Sequence, residues 1–437
     1  MSAEPQILRT RSSVKKFFGS FHPSFWVANS LELFERLAYY AQAAVMSIFL
    51  RDYLNFNEID ATTLSSIFGL LVYLLPIFAG TFADKYGFRK AFSFAFLVMA
   101  IGYFLIGAIG SPFFRPLIHD MSLFWLIVAV LVFTSVGESF IKPSVLGTVA
   151  FSTNRETKSL GYAIYYTLVN VGGATGPVIA YFVRSIVGIQ WVYMVSALSC
   201  AMMLAGTILF YRVPESATAI KQPSVKTKLA DMARVLINAR FMVFLLIFSL
   251  YWVTFWQIFI TLPYYITDFI ARKAPFDLIE SIDAWSIIFL QVVINRLTKK
   301  MPPITAIVLG FFVSSLCWFV IAARPSIPGV IAAMVVWSLG EMSMAPRYYE
   351  YIADQAPRGQ EALFQGYAFL PIALGYFAGG IFGGRLYASL AKPAIGEPNP
   401  AEFWIVFGII GIIGTVLMVA YNWYLTRKKR SETAPSS

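Results

Sequence analysis

Glu32, Glu35 and Arg36 stand together in an otherwise apolar run, Leu31-Glu32-Leu33-Phe34-Glu35-Arg36-Leu37-Ala38-Tyr39-Tyr40. Glu32 and Arg36 are four apart, so on a helix they share a face and can pair. Glu35 places a second carboxylate beside the same guanidinium, leaving one net negative charge for another partner. A charge at mid-bilayer costs roughly 2.5–3.5 kcal/mol on insertion scales. Such a trio is therefore a static packing cluster, the start of a span that begins several residues later, or part of a solute or proton pathway. A second pair with the same spacing, Glu138 and Lys142, is followed by Pro143, whose missing N–H opens the helix ladder. Lys142 can pair with Glu138 or reach the carboxylates of the first run. A lysine that changes partners is the substance of a proton-coupled switch.

Further along, Gly340-Glu341-Met342-Ser343-Met344-Ala345-Pro346-Arg347 places Glu341 well inside an apolar run and Arg347 nearer its end. Glu280 and Asp283 lie one turn apart; Asp283 either faces a cavity or is an exposed charge near a helix start. Both histidines, His22 and His119, fall outside the apolar runs. Any proton carrier within the membrane must then be a carboxylate: Glu32, Glu35, Glu138 or Glu341. An intramembrane enzyme would need a metal cluster or a nucleophile constellation, and neither is expected. Tyr39, Tyr40, Tyr73, Tyr165 and Tyr166, with Asn170, supply polar aromatic and amide groups to the same region. The glycines Gly172, Gly173, Gly176, Gly379, Gly380, Gly383 and Gly384 read as close-approach positions between helices.

The elements that must hold these residues are membrane spans. Of 437 residues, 58% are hydrophobic and 13% charged, against roughly 25% charged in soluble domains. The mean hydropathy is +0.68. A helix crosses the bilayer core in roughly 20 residues, and twelve such runs are expected: 25–50, 61–82, 91–111, 122–150, 160–186, 189–211, 241–268, 277–296, 303–323, 327–353, 360–388 and 401–425. The net charge of +11 is spread in short clusters between the runs, which excludes a nucleic-acid surface and reads as a topology signal. With the N-terminus inside, 23 of the 34 Lys and Arg residues fall on the inner side, 8 on the outer side and 3 within spans. Both termini are thus expected in the cytoplasm of a plasma (inner) membrane protein. The expected organisation is a cytoplasmic tail over 1–24, a six-helix bundle over 25–211, a linker over 212–240, a second bundle over 241–425 and a tail over 426–437. Val225–Arg240 patterns as an interfacial helix within that linker. Cys200 and Cys317 sit in apolar runs and imply no disulfide framework.

Two bundles around a midplane site suit a transporter, and the charged runs carry a family likeness. Glu32 to Tyr40 (ELFERLAYY) resembles the ExxERFxYY motif of proton-coupled oligopeptide transporters, a branch of the major facilitator superfamily. Tyr165 to Gly172 (YYTLVNVG), Gly137 to Pro143 (GESFIKP) and Gly340 to Pro346 (GEMSMAP) are similar to that family's motifs in spans five, four and ten. Gly80 to Lys90 (GTFADKYGFRK) resembles the superfamily's loop after span two, where Asp84, Arg89 and Lys90 would form a cytoplasmic latch. The resemblance implies an all-α fold of 12 transmembrane helices in two six-helix bundles. It implies proton-coupled symport of di- and tripeptides or peptide-like solutes by alternating access, with protons as coupling ion, no other cofactor, no metal and a monomeric chain. It assigns coupling and gating to Glu32, Glu35, Arg36, Lys142 and Glu341, to which the spacing adds Glu138. It assigns substrate contact to Tyr39, Tyr40, Tyr73, Asn170 and Glu341, and Tyr166, Trp256, Gln257 and Asp283 are further candidates for the same cavity.

The departures bear on substrate. The arginine that such importers commonly carry seven positions after the motif's own arginine is Ala43 here. Trp256 stands where a carboxylate is expected, Asp283 where an asparagine is, and Ala368 where a tryptophan is. Arg347 either supplies the positive charge absent at Ala43 or anchors the end of span ten. A proton-coupled carrier of a non-peptide polar solute, or an exporter on the same fold, is the alternative expectation.

Overall fold

The computed structural model describes residues 19–111, 113–114, 116, 121–154, 156–213, 230, 233–357 and 360–433. The tail before Gly19, His119 and most of the joining segment, including much of the interfacial helix expected over 225–240, lie outside the described residues.

The described regular structure is helical. Span one is Pro23–Ile48, extended by a π turn at Phe49–Tyr53. Span two is Glu58–Leu74 with Pro76–Tyr86, bent by 45° at Leu75. Span three is Phe88–Ile109, span four Leu123–Glu138 with Ile141–Phe151, span five Lys158–Ile186 and span six Gln190–Phe210. Span seven runs through Ala239–Phe255, Gln257–Ile260, Leu262–Tyr265 and a π turn at Ile266–Ile270. Spans eight, nine and ten are Phe276–Thr298, Pro303–Ala323 and Ile327–Gln355. Span eleven is Glu361–Tyr367 with Leu370–Leu386 and a π turn at Tyr387–Ala391, and span twelve is Pro400–Thr433.

Eight of these, plus the bent pair of span two, are apolar enough to cross a membrane by length and composition alone. The remaining three, spans one, five and eight, are 26, 29 and 23 residues long. They fall short on apolarity because spans one and eight carry the interior charges and span five is rich in glycine and polar residues.

Several breaks have local causes. The bend of span two precedes Pro76, the break of span four precedes Pro143 and that of span eleven precedes Pro371. Each proline removes a backbone donor from the ladder. In span ten, Pro346 frees the carbonyl of Met342, and the Gln291 side chain of span eight donates to that oxygen at 3.1 Å. Helix starts are capped by side chains: Asn57 accepts from Asp60 N, Asn238 from Phe241 N and Ser326 from Gly329 N.

Spans one to six pack mainly on each other, as do seven to twelve, and the two groups meet through pairs two–eleven, five–eight and one–seven. Small residues set how closely these helices approach. A Cβ on Gly176 of span five would come within 2.9 Å of the Leu37 carbonyl and of Tyr40 Cβ on span one. Gly380 and Gly384 of span eleven likewise lie against Ser66 and Thr62 of span two. Ser24 Oγ donates to the Arg212 carbonyl, and Tyr421 Oη donates to the Arg240 carbonyl at 3.2 Å. The start of span one thus lies beside the end of span six, and the start of span seven beside span twelve. We call this the terminal face.

Candidate functional site

Span one begins at Pro23, nine residues before Glu32. At ~1.5 Å per residue, the charged trio lies about 14 to 20 Å along the helix from its first residue. Glu32, Glu35 and Arg36 are all buried, with exposures of 0%, 0% and 2%. Arg36 donates twice to its chain neighbour Glu35, at 2.5 and 2.7 Å. Its i−4 partner Glu32 lies at 3.6 Å, and Glu138 of span four at 3.7 Å. The fork of the guanidinium fits one carboxylate bidentately, so the helical spacing that favours Glu32 yields to Glu35. The oxygens of Glu32 and Glu138 are buried without hydrogen-bond partners. Three carboxylates around one guanidinium is an arrangement that a change in proton occupancy would rearrange.

Lys142 is not paired with Glu138 or with the span-one carboxylates. Its ammonium sits over the rings of Tyr73 and Phe369, 5.2 and 5.0 Å from their centroids. Between Glu138 and Lys142 the α-helical ladder is interrupted at Ser139 and Phe140. Phe369 belongs to span eleven, so Lys142 faces the second bundle.

On the opposite wall, Asp283 of span eight accepts from Ser338 of span ten at 2.6 Å, and Glu341 accepts from Trp337 Nε1 at 3.1 Å. Asp283 is thus tied to span ten rather than left exposed near a helix start. Tyr39 and Tyr73 meet hydroxyl to hydroxyl at 3.3 Å, and Arg36 lies over the Tyr39 ring at 4.7 Å. The Tyr73 ring lies 5.5 Å from Trp256, whose ring in turn lies 4.0 Å from Tyr376, both pairs tilted.

Two expected substrate contacts are engaged within the scaffold. Gln257 donates to the carbonyls of Val253 and Gly379 and accepts from Thr261, so it staples span seven to span eleven. Asn170 turns its amide back to the Tyr166 carbonyl at 2.9 Å. Of the expected latch, Arg89 donates to the Ile208 carbonyl at 2.6 Å and so closes the end of span six. Asp84 is also engaged, and Lys90 is exposed. Arg347 donates to the Thr298 carbonyl at the end of span eight and pairs with Glu350.

The sequence model of the Major Facilitator Superfamily matches residues 30–270 and 272–437. The chain belongs to this superfamily. A curated relative, dipeptide and tripeptide permease A of Edwardsiella piscicida, is 32% identical over 152 residues. That stretch spans 34% of this facilitator but only 29% of the permease. A solved POT family transporter in complex with a thioalcohol conjugated peptide superposes with a TM-score of 0.74 at 16% identity, covering 92% of this chain and 96% of that one. A POT family transporter in complex with 5-aminolevulinic acid gives a TM-score of 0.74 at 17% identity, over 91% and 95% of the two chains. These superpositions establish the facilitator fold.

The facilitator also holds a group of residues that sequence reasoning missed. At the face opposite the termini, Arg51 at the end of span one donates to both oxygens of Asp268 in span seven, at 2.8 and 3.1 Å. Arg184 of span five pairs with Asp277 of span eight at 2.6 Å, and Lys392 after span eleven with Glu58 of span two at 3.1 Å. Tyr264 donates to the Ser47 carbonyl at 3.0 Å. These contacts latch the two bundles together at that face. Beside them, Glu280 is buried with both oxygens unpartnered.

Proposed function

We propose that this facilitator is a proton-coupled symporter of di- and tripeptides or peptide-like solutes, working by alternating access. The observation that carries the reading is the set of buried charges around Arg36 with an unpaired Lys142 facing the second bundle. Static packing would not need three carboxylates on one guanidinium in a region where each charge costs roughly 2.5–3.5 kcal/mol. Protons are the coupling ion, taken up by Glu32, Glu35, Glu138 and Glu341, and no other cofactor is invoked.

The cycle follows from the two faces. With the Arg51, Arg184 and Lys392 latch closed, substrate communicates with the terminal face. We take that face as cytoplasmic in a plasma (inner) membrane, because Lys and Arg concentrate on it. Opening the latch rocks the bundles so that spans four and ten approach, and Lys142 then meets Glu341. Protonation of the carboxylates governs which partner Lys142 holds. Asp283 and Glu341 take the substrate's amino group, and Tyr39, Tyr40, Tyr73 and Tyr166 line the path. The chain acts as a monomer.

The test is uptake of a dipeptide library into proteoliposomes under an imposed inward proton gradient. Gradient-dependent accumulation of at least one peptide is expected. A library in which no peptide accumulates would overturn the peptide assignment.

A further inference from the structure

A cleft of about 490 Å³ opens between the ends of spans eight and ten at the terminal face. Its volume is many times the ~30 Å³ share of a water molecule. Asn295, Arg296 and Lys299 line one side, and Arg347 and Glu350 the other. Three cations thus meet one carboxylate, and that carboxylate is already held by Arg347 at 2.6 Å.

Arg347 is the centre of the site. One terminal nitrogen donates to the Thr298 carbonyl at 3.2 Å and the other is taken by Glu350. Its Nε is buried with no hydrogen-bond partner, and a buried donor left unmade costs about 1–3 kcal/mol. An anionic oxygen in the cleft would satisfy it. Guanidinium and ammonium groups converging from two helices suit a group with several charged oxygens, which makes phosphate a better match than a lone carboxylate. The face of span eight leading to the cleft carries the exposed apolar side chains Phe289, Val293 and Leu297, so acyl chains can lie beside it.

We propose that this cleft, lined by none of the residues assigned above to substrate or proton coupling, is a binding site for a phosphate group. The group is carried either by an anionic lipid headgroup or by free phosphate. Bound there, it bridges spans eight and ten through Arg296, Lys299 and Arg347 and holds their ends together. Basic pockets between membrane helices are suited to such headgroups.

The test compares the full chain in nanodiscs of phosphatidylcholine alone, in nanodiscs containing phosphatidylglycerol, and in phosphatidylcholine with inorganic phosphate against chloride at equal ionic strength. The readout is the thermal unfolding midpoint. A rise of about 2–4 °C is expected with phosphatidylglycerol, or with inorganic phosphate, and the arm that shows it identifies the source. The rise should vanish in Arg296→Gln/Lys299→Gln, two exposed positions, and persist in Lys300→Gln, which is equally exposed and outside the cleft lining. No rise in either arm overturns the proposal. So does a rise that survives the double substitution, or one that Lys300→Gln removes equally.

Discussion

Arg51 and Asp268 are 217 residues apart in the chain, and the guanidinium of one donates to both carboxylate oxygens of the other. Asp268 also accepts from Tyr387 Oη at 2.9 Å, so one carboxylate ties spans one, seven and eleven. Arg51 additionally lies over the Tyr264 ring at 4.2 Å. Both charged side chains are largely buried, at 8% and 17% exposure, so screening weakens the pair less than it would at an open surface.

Asp268→Asn is expected to loosen that latch by about 1.5–3 kcal/mol, the usual range for hydrogen bonds to a charged group. Amide hydrogen exchange in Phe49–Tyr53 and Ile266–Ile270, the two π turns that carry the pair, should accelerate. Unchanged exchange in both segments would show that the pair does not hold the face closed.

Glu35→Gln separates coupling from movement. The amide keeps the shape of the carboxylate but leaves Arg36 to Glu32 and Glu138, which stand at 3.6 and 3.7 Å. Counterflow of substrate between equal proton concentrations is expected to survive. Accumulation under a proton gradient should fall until inside and outside concentrations are equal. Normal accumulation in this variant would remove Glu35 from the coupling machinery.

Gly176→Val tests the close approach of spans five and one. A side chain there meets the Leu37 carbonyl and Tyr40 Cβ at 2.9 Å, and both belong to span one. Overpacking of this kind costs about 1–3 kcal/mol, and a lower thermal unfolding midpoint in detergent is the expected sign. A midpoint equal to that of the parent chain would mean that the helices have room to separate.

How much of this was legible in the sequence depends on distance along the chain. Most of the spans were readable because they are long apolar runs, and Glu32, Glu35 and Arg36 stood out because they interrupt one. Which carboxylate Arg36 grips was not readable, since i,i+4 spacing pointed to Glu32 and bidentate geometry chose Glu35. The separation of Lys142 from Glu138 was not readable either, since their i,i+4 spacing pointed to a pair while the lysine turns to Tyr73 and Phe369. The Arg51–Asp268, Arg184–Asp277 and Lys392–Glu58 pairs join residues 217, 93 and 334 apart. Nothing local in the sequence marks such partners. Gln257 and Asn170 show what spacing alone does not give: which backbone carbonyls their amides also meet, Val253 and Gly379 for one and Tyr166 for the other.

Asp283→Asn probes the substrate end of the proposed site. Asp283 Oδ1 accepts from Ser338 at 2.6 Å, and an asparagine carbonyl can keep that bond. The substitution therefore removes charge while preserving the tie between spans eight and ten. A substrate ammonium would lose one charge-assisted hydrogen bond, which is roughly twice as strong as a neutral one. The KM for an amine-bearing peptide is expected to rise about tenfold, equivalent to ~1.4 kcal/mol. The kcat should change little, because Glu35, Arg36 and Lys142 lie on the other bundle and remain intact. The same peptide with its N-terminus acetylated offers no ammonium and should be indifferent to the substitution. An equal loss for both peptides would assign Asp283 to packing of span eight on span ten, and would leave Glu341 as the carboxylate that meets the amino group.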